Sequence, residues 1–215
     1  MASAKKIHTS DGEGGFLFVG NQLALDFLNT RPAQNGEPKE LLTNFSALLG
    51  WFQAAELITA RDAVYLQRKW GKSIRAQRTV EAMRRLRETL RREILAWEYS
   101  GAVHHSTVAE LNRIMAEHPM RAKLKTAGSS SATELWFDAG QPEDLFAPLA
   151  HSTARLFSDV DRRRVRKCDH CVLHFHDTSK KGTRRWCSMR LCGNRLKVAA
   201  YASRQRMSGR RMTRR

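Results

Sequence analysis

Four cysteines, and no others, stand in the last quarter of this chain: Cys168-x2-Cys171, fifteen intervening residues, then Cys187-x4-Cys192. Two close pairs separated by a hairpin-length stretch have the spacing of a structural zinc site, each pair giving two tetrahedral ligands from one tight turn or helix start. No other feature constrains the fold as much. So short a segment cannot build its own core, and metal binding supplies the folding free energy it lacks. Four thiolates leave no open coordination position, so the spacing predicts one structural Zn²⁺ per chain rather than a catalytic ion. The alternative ligands are His170, His174 and His176. His170 lies awkwardly inside the first pair, and the other two, on one face of a strand, read as packing or surface residues.

The residues between and after the pairs suggest what the metal holds. Residues 172–176 alternate apolar and polar, as one strand of a hairpin would, and residues 177–182 are rich in turn formers. Residues 183–186 are expected to be the return strand. Ser188 is a plausible helix N-cap, with Cys192 early in a helix that runs on to about Arg206. Knuckle, hairpin and helix together make a treble-clef-like finger.

Charge is divided unevenly. Residues 161–215 hold 18 Lys/Arg against 3 Asp/Glu, whereas residues 1–160 hold 20 against 18. The basic part has the electrostatic footprint of a polyanion binder. A solvated basic face without a partner is the plainer alternative, but a net +15 in 55 residues argues against it. Candidate nucleic-acid contacts are Arg184 and Arg185 on the hairpin, with Arg190, Arg195, Lys197, Arg204 and Arg206 on or beside the helix. Asn194 could read adenine or make local backbone bonds, and Arg195 could equally brace the knuckle. Arg210, Arg211, Arg214 and Arg215 form a basic tail.

The near-neutral part reads as mostly helical. Apolar stripes mark helices over 23–28, 41–57 and 79–99. The last carries Val80, Met83, Leu86, Leu90, Ile94 and Trp97 at steps of three and four, with Gly101 as its stop. Thr59-x-x-Asp62 and Thr107-x-x-Glu110 look like capping boxes, the second opening a helix over 108–118. A helical turn over 142–146 and a helix from Pro148 to about residue 158 follow. Residues 16–19 and 133–138 are the strand candidates outside the finger and are expected to pair. Trp51, Trp70, Trp97 and Trp136 read as core. Asp26, Asn29, Thr30 and Arg31 form a polar cluster beside an apolar run. It could line a ligand pocket, though hydrogen bonding at a helix end explains it more simply. The start of the chain has no apolar signal region, and no run is long and apolar enough to span a membrane. Both point to the cytoplasm, where paired cysteines favour metal over disulfides.

Trp186-Cys187-Ser188-Met189, followed by Cys192-Gly193-Asn194-Arg195, resembles the signature of the CGNR zinc finger, and residues 177–180 resemble that family's hairpin. Residues 23–30, Leu-Ala-Leu-Asp-Phe-Leu-Asn-Thr, are similar to the opening motif of the ABATE domain, which usually precedes this finger. The first cysteine pair is closer than in many members. The resemblance covers nearly the whole chain and implies a bacterial DNA-binding transcription regulator, associated with the nucleoid.

The fold expected is therefore mainly α with a small β element, an α+β arrangement. Residues 1–160 would form a helical domain that senses a small-molecule effector or partner. Residues 161–208 would be the finger and 209–215 the tail, and the body would stay folded with residues 161–215 removed. Double-stranded DNA is the favoured partner. The alternatives are an RNA-binding protein and an interaction adaptor with a purely structural zinc clip. No acid/base or nucleophile constellation points to an enzyme.

Overall fold

Helix caps written into the sequence set most of the architecture. The structure is a computed structural model that describes residues 15–34, 36–128 and 130–193. Helix α1 (Leu23–Leu28) starts where the Gln22 side chain accepts the Ala24 N–H at 2.7 Å. A two-residue ladder of β1 (Ala33–Gln34) and β2 (Glu37–Pro38) crosses the Pro/Gly loop. Helix α2 (Phe45–Ala54) is shorter than the apolar stripe suggested. Asn44 caps it by accepting the Ala47 N–H, and Glu56, at φ 57°, ends it. Helix α3 (Ala60–Trp70) opens with the Thr59–Asp62 capping box. Helix α4 (Ile74–Ser100) begins five residues before the expected start because Ser73 caps it upstream, and it stops at left-handed Gly101.

Helix α5 (His105–Glu117) corrects one expectation. Its cap position is His104, so Thr107 falls inside the first turn and is buried, while Glu110 pairs with Arg113 at 2.8 Å instead of closing a capping box. The hairpin β3 (Arg121–Ala127) and β4 (Ser130–Trp136) follows, paired from Arg121↔Trp136 to Ala127↔Ser130. A 3-10 turn, Pro142–Leu145, leads into α6 (Phe146–Asp159). Pro148 therefore sits within the first turn, where a missing N–H costs nothing, rather than at the first position.

The strand pairing expected between residues 16–19 and 133–138 does not form. Residues 16–19 join no ladder, and β4 pairs with its sequence neighbour β3 across left-handed Gly128. Closing a two-residue turn costs far less chain entropy than joining segments more than a hundred residues apart. Phe16 and Phe18 enter the main core instead. There Trp51 meets Phe18, Phe27 and Phe52 at ring-centre distances of 6.0, 5.7 and 5.2 Å. Trp51 and Trp97 are core residues as expected. Trp136 is half-buried on the hairpin, under Arg121 and Lys123.

In the finger, β5 (Val165–Lys167) pairs antiparallel with β6 (His174–His176). The expected partner of residues 172–176 was the segment 183–186, and this too is corrected. The Cys168 N–H donates to Leu173 O at 2.9 Å, so the first cysteine pair is itself the turn that folds β6 back on β5. Residues 183–186 remain irregular.

The finger is packed on α1 and α4. Val165 shares an apolar cluster with Leu25, Leu28, Ile94, Trp97 and Leu156. The His176 N–H donates to Gly20 O at 2.7 Å. Gly20 itself lies tight against α1: a Cβ there would lie 2.8 Å from the Leu25 Cβ and 2.9 Å from the Asp26 N.

Candidate metal centre and nucleic-acid face

The four cysteine sulfurs lie within 4.8 Å of one another, with Cys171–Cys187 and Cys187–Cys192 at 3.6 Å. A tetrahedral zinc with Zn–S bonds of about 2.3 Å needs sulfurs about 3.8 Å apart, so the cluster has the right size. Cys168, Cys187 and Cys192 are buried and Cys171 half-buried. Val19, Leu173 and Phe175 pack against them.

The crowding of four sulfurs points to a cation. A hydrogen bond from the Cys187 thiol draws Cys171 down to about 5, so one thiolate forms readily. Donating that bond pushes Cys187 far up, and burial, with like charge nearby, pushes Cys192 up to about 12. Four sulfurs this close can all be thiolates only around a divalent ion. The donor set fits zinc, and Cys168, Cys171, Cys187 and Cys192 hold one structural Zn²⁺. None of the three finger histidines joins this cluster. His170 is exposed, and His174 is buried, with its Nε2 3.9 Å from Glu98.

Short-range bonds build each half of the site. Asp169 N–H donates to Arg185 O. Ser188 O accepts the Cys192 and Gly193 N–H groups, and its hydroxyl accepts Arg190 N–H, so residues Met189–Gly193 form the expected helical start. Asp177 is fully buried and ties the long loop, accepting the N–H groups of Ser179 (2.9 Å) and Arg184 (2.8 Å). Burial alone would raise its carboxyl, but the Ser179 and Arg184 bonds hold it below the usual range.

The basic residues divide into two sets. Arg184 donates to Trp186 O and Cys187 O and lies 4.4 Å over the Phe175 ring, so it braces the second cysteine pair. Three further guanidiniums that sequence reasoning left in the general basic footprint also bind carbonyls. Arg162 reaches Glu98 O, Arg164 reaches Asp177 O and Ser179 O, and Arg166 reaches Gly182 O. Nothing in one sequence separates a carbonyl-binding arginine from a phosphate-binding one. Arg185 belongs to the second set: exposed, stacked on Trp186 at 4.8 Å and linked to Asp169 at 2.7 Å. Arg163, Lys167, Lys180, Lys181 and Arg190 are also exposed on the finger. Asn194, Arg195, Lys197, Arg204, Arg206 and the tail lie outside the described residues.

The polar cluster near α1 is pulled apart. Asp26 is buried, accepts the Gly20 N–H at 2.7 Å, and is pushed up to about 7 by burial. Asn29 binds the β6 backbone. Thr30 donates to Phe27 O and accepts from Arg87. Arg31 alone of the four is exposed, 3.4 Å from Glu88 at the edge of a pocket.

A helical body clamped to a four-cysteine, arginine-braced finger defines a zinc-finger protein. Residues 21–160 match the family model of ABATE, described as "putative stress-induced transcription regulator", and residues 164–205 match that of the CGNR zinc finger. The chain belongs to the ABATE family and carries a CGNR finger behind the ABATE domain. Both families are those of regulators and zinc fingers, not of enzymes. No curated protein matches the chain. Among the described residues, no helix is long and apolar enough to cross a membrane.

Proposed function

We propose that the protein is a transcription regulator that grips double-stranded DNA through its finger and has no catalytic activity of its own. In this reading residues 1–160 form the sensing body, 161–208 the DNA-binding finger and 209–215 an additional basic arm, and the protein works in the cytoplasm on the nucleoid. The carrying observation is the concentration of charge on the zinc-held unit, a net +15 over residues 161–215. Zinc and the arginine braces fix the backbone, so the exposed Arg185, Arg190, Lys180 and Lys181 are presented from one rigid unit. Arg195, Lys197, Arg204 and Arg206, with Asn194, continue the same basic run in sequence. Lys and Arg at phosphates release counterions, which makes affinity fall steeply with salt.

The test is a fluorescence titration of random-sequence duplex at several salt concentrations, with single-stranded and duplex RNA as competitors. Duplex affinity should fall on a log–log salt plot with a slope of about −4 or steeper. It should be lost in Cys187→Ser along with the zinc. RNA competing far better than any duplex would move the assignment to RNA, and binding to neither at low salt would leave an interaction adaptor.

A further inference from the structure

A pocket of about 240 Å³ opens where three parts of the chain meet: the β1–β2 loop, the middle of α4 and the finger. Its walls are Pro32 and Pro38 from the loop, Glu88 and Arg91 from α4, and Val172 from the finger, with Arg31 at its edge. Most of that lining is apolar, and three charged side chains join it.

Those charges do not balance. Glu88 lies 3.4 Å from Arg31, 3.4 Å from Arg91 and 3.0 Å from Arg87. Glu40 is engaged by Arg87 and, at 3.9 Å, by Arg84. Four guanidiniums thus share two carboxylates in one network, of which Arg31, Arg91 and Glu88 line the pocket, two cations to one anion. Arg91 registers the imbalance. Burial, with the like charges of Arg87 and Arg31, lowers its proton affinity in spite of Glu88. Arg91 also spends one N–H on Leu28 O at 2.8 Å, which fixes its head group at the pocket wall. A guanidinium fixed on a carbonyl and a more exposed one, with the single Glu88 carboxylate shared between them, make a fork for a planar carboxylate.

We infer that this pocket binds a small organic acid, its carboxylate between Arg31 and Arg91 and its apolar body between the prolines and Val172. The volume suits an aromatic or short branched acid rather than a nucleotide, which is larger than the cleft. Val172 directly follows the zinc ligand Cys171, the half-buried member of the four. An occupant therefore touches body and knuckle together and holds them in one arrangement. Its effect on DNA binding rests on the regulator reading above; its binding does not.

The test uses full-length, zinc-loaded protein and benzoate as probe, with benzamide and acetate as controls, followed by calorimetry in the absence of DNA. Benzoate should bind one-to-one, and benzamide, which lacks the charge, at least about tenfold more weakly. Acetate, which lacks the apolar body, should bind similarly weakly. Arg31→Gln should weaken benzoate binding by about tenfold or more, and Arg31→Lys should restore part of it. Arg85→Gln, on another face of α4, should change nothing. Equal binding of benzoate and benzamide, no benzoate binding, or an unaltered Arg31→Gln would overturn the inference. A duplex titration with and without benzoate at constant ionic strength then tests the coupling. A shift of about threefold or more in wild type but not in Arg31→Gln supports it, and identical affinities overturn it. Protein that binds benzoate but no duplex would refute the regulator reading and leave the pocket standing.

Discussion

The Asn29 side chain bonds both backbone groups of His174: its amide donates to the carbonyl and its oxygen accepts the N–H, each at 2.9 Å. The two residues are 145 positions apart. Asn29 ends α1 and His174 begins β6, so one side chain pairs with the free edge of the finger's hairpin as a neighbouring strand would. Asn21 and Gly20 extend the arrangement by binding the carbonyl and N–H of His176. The polar motif at the end of α1 is therefore the place where the helical body holds the finger.

Removing that side chain should be costly. Both Asn29 and His174 are buried, so Asn29→Ala strands a donor and an acceptor away from water. Each unsatisfied group costs about 1–3 kcal/mol, and the variant should lose about 2–4 kcal/mol in urea unfolding. Asn29→Asp keeps the acceptor and loses the donor, and should fall between wild type and alanine or below both if its charge stays buried. A loss under about 0.5 kcal/mol for Asn29→Ala would mean that water replaces the amide.

Deleting residues 161–215 should destabilise the body, contrary to the expectation from charge asymmetry alone. The deletion bares Leu25, Leu28 and Trp97, each of which packs in the cluster that Val165 completes, and uncovers Val19. Exposing large apolar side chains costs roughly 1.5–3 kcal/mol apiece, comparable with a domain's whole margin. The truncated chain should unfold at lower temperature and bind a hydrophobic dye. An unchanged, cooperative transition would show that the body closes over this surface by itself.

Asp26 should contribute a decline in stability as pH rises towards neutrality, against the opposite trend of the thiols, which bind zinc better as they lose protons. Its folded-state value, about 7, lies above the ordinary 3.8 because burial disfavours the anion. Between those values the folded state holds a proton that the unfolded state has released, so stability is greatest at the acid end and is lost as pH rises to about 7. Burial raises Glu98 to about 7 as well, with Lys167 opposing, and acts in the same direction. Asp26→Asn keeps an oxygen for the Gly20 N–H and removes one ionisation. From pH 5.5 to 7 the slope of its stability against pH should be more positive than that of wild type by up to about 1.4 kcal/mol per pH unit. Parallel curves would show that Asp26 does not titrate in this window.

Features dictated by local chemistry were legible in the sequence. Zinc geometry fixes cysteine spacing, so the ligand set could be read directly, and three-to-four periodicity with caps gave α1, α3 and most of α4. The pairing of β6 was not legible. Residues 165–167 and 183–186 are both short enough to flank it, and the choice falls to a backbone bond, Cys168 N–H to Leu173 O, that leaves no trace in side-chain pattern. Asn29 looked like a helix-end residue, and its chemistry is that of one; only its partner, far along the chain, was invisible. The arginines were the hardest to read, since a guanidinium has the same charge whether it meets a carbonyl or a phosphate.

Arg184 and Arg185 are adjacent in sequence and should separate in function. Arg184 points inward, donating to the carbonyls of Trp186 and Cys187 and stacking on Phe175. Groups that orient metal ligands commonly govern metal affinity by about 10- to 100-fold. Arg184→Ala should therefore lose zinc to a chelator at least about tenfold faster than wild type. Its DNA binding should recover when zinc is supplied in excess. Arg185 points outward, and its ion pair with Asp169 is exposed enough to be exchanged for a phosphate at little cost. Arg185→Ala should retain zinc like wild type, bind duplex more weakly, and show a log–log salt slope shallower by about one. Lys should restore the slope at position 185 but not the zinc retention at 184, because an ammonium cannot span two carbonyls and a ring as a guanidinium does. If both alanine variants lose zinc equally, the finger has no division between brace and grip; if neither salt slope changes, the DNA contact lies elsewhere on the basic segment.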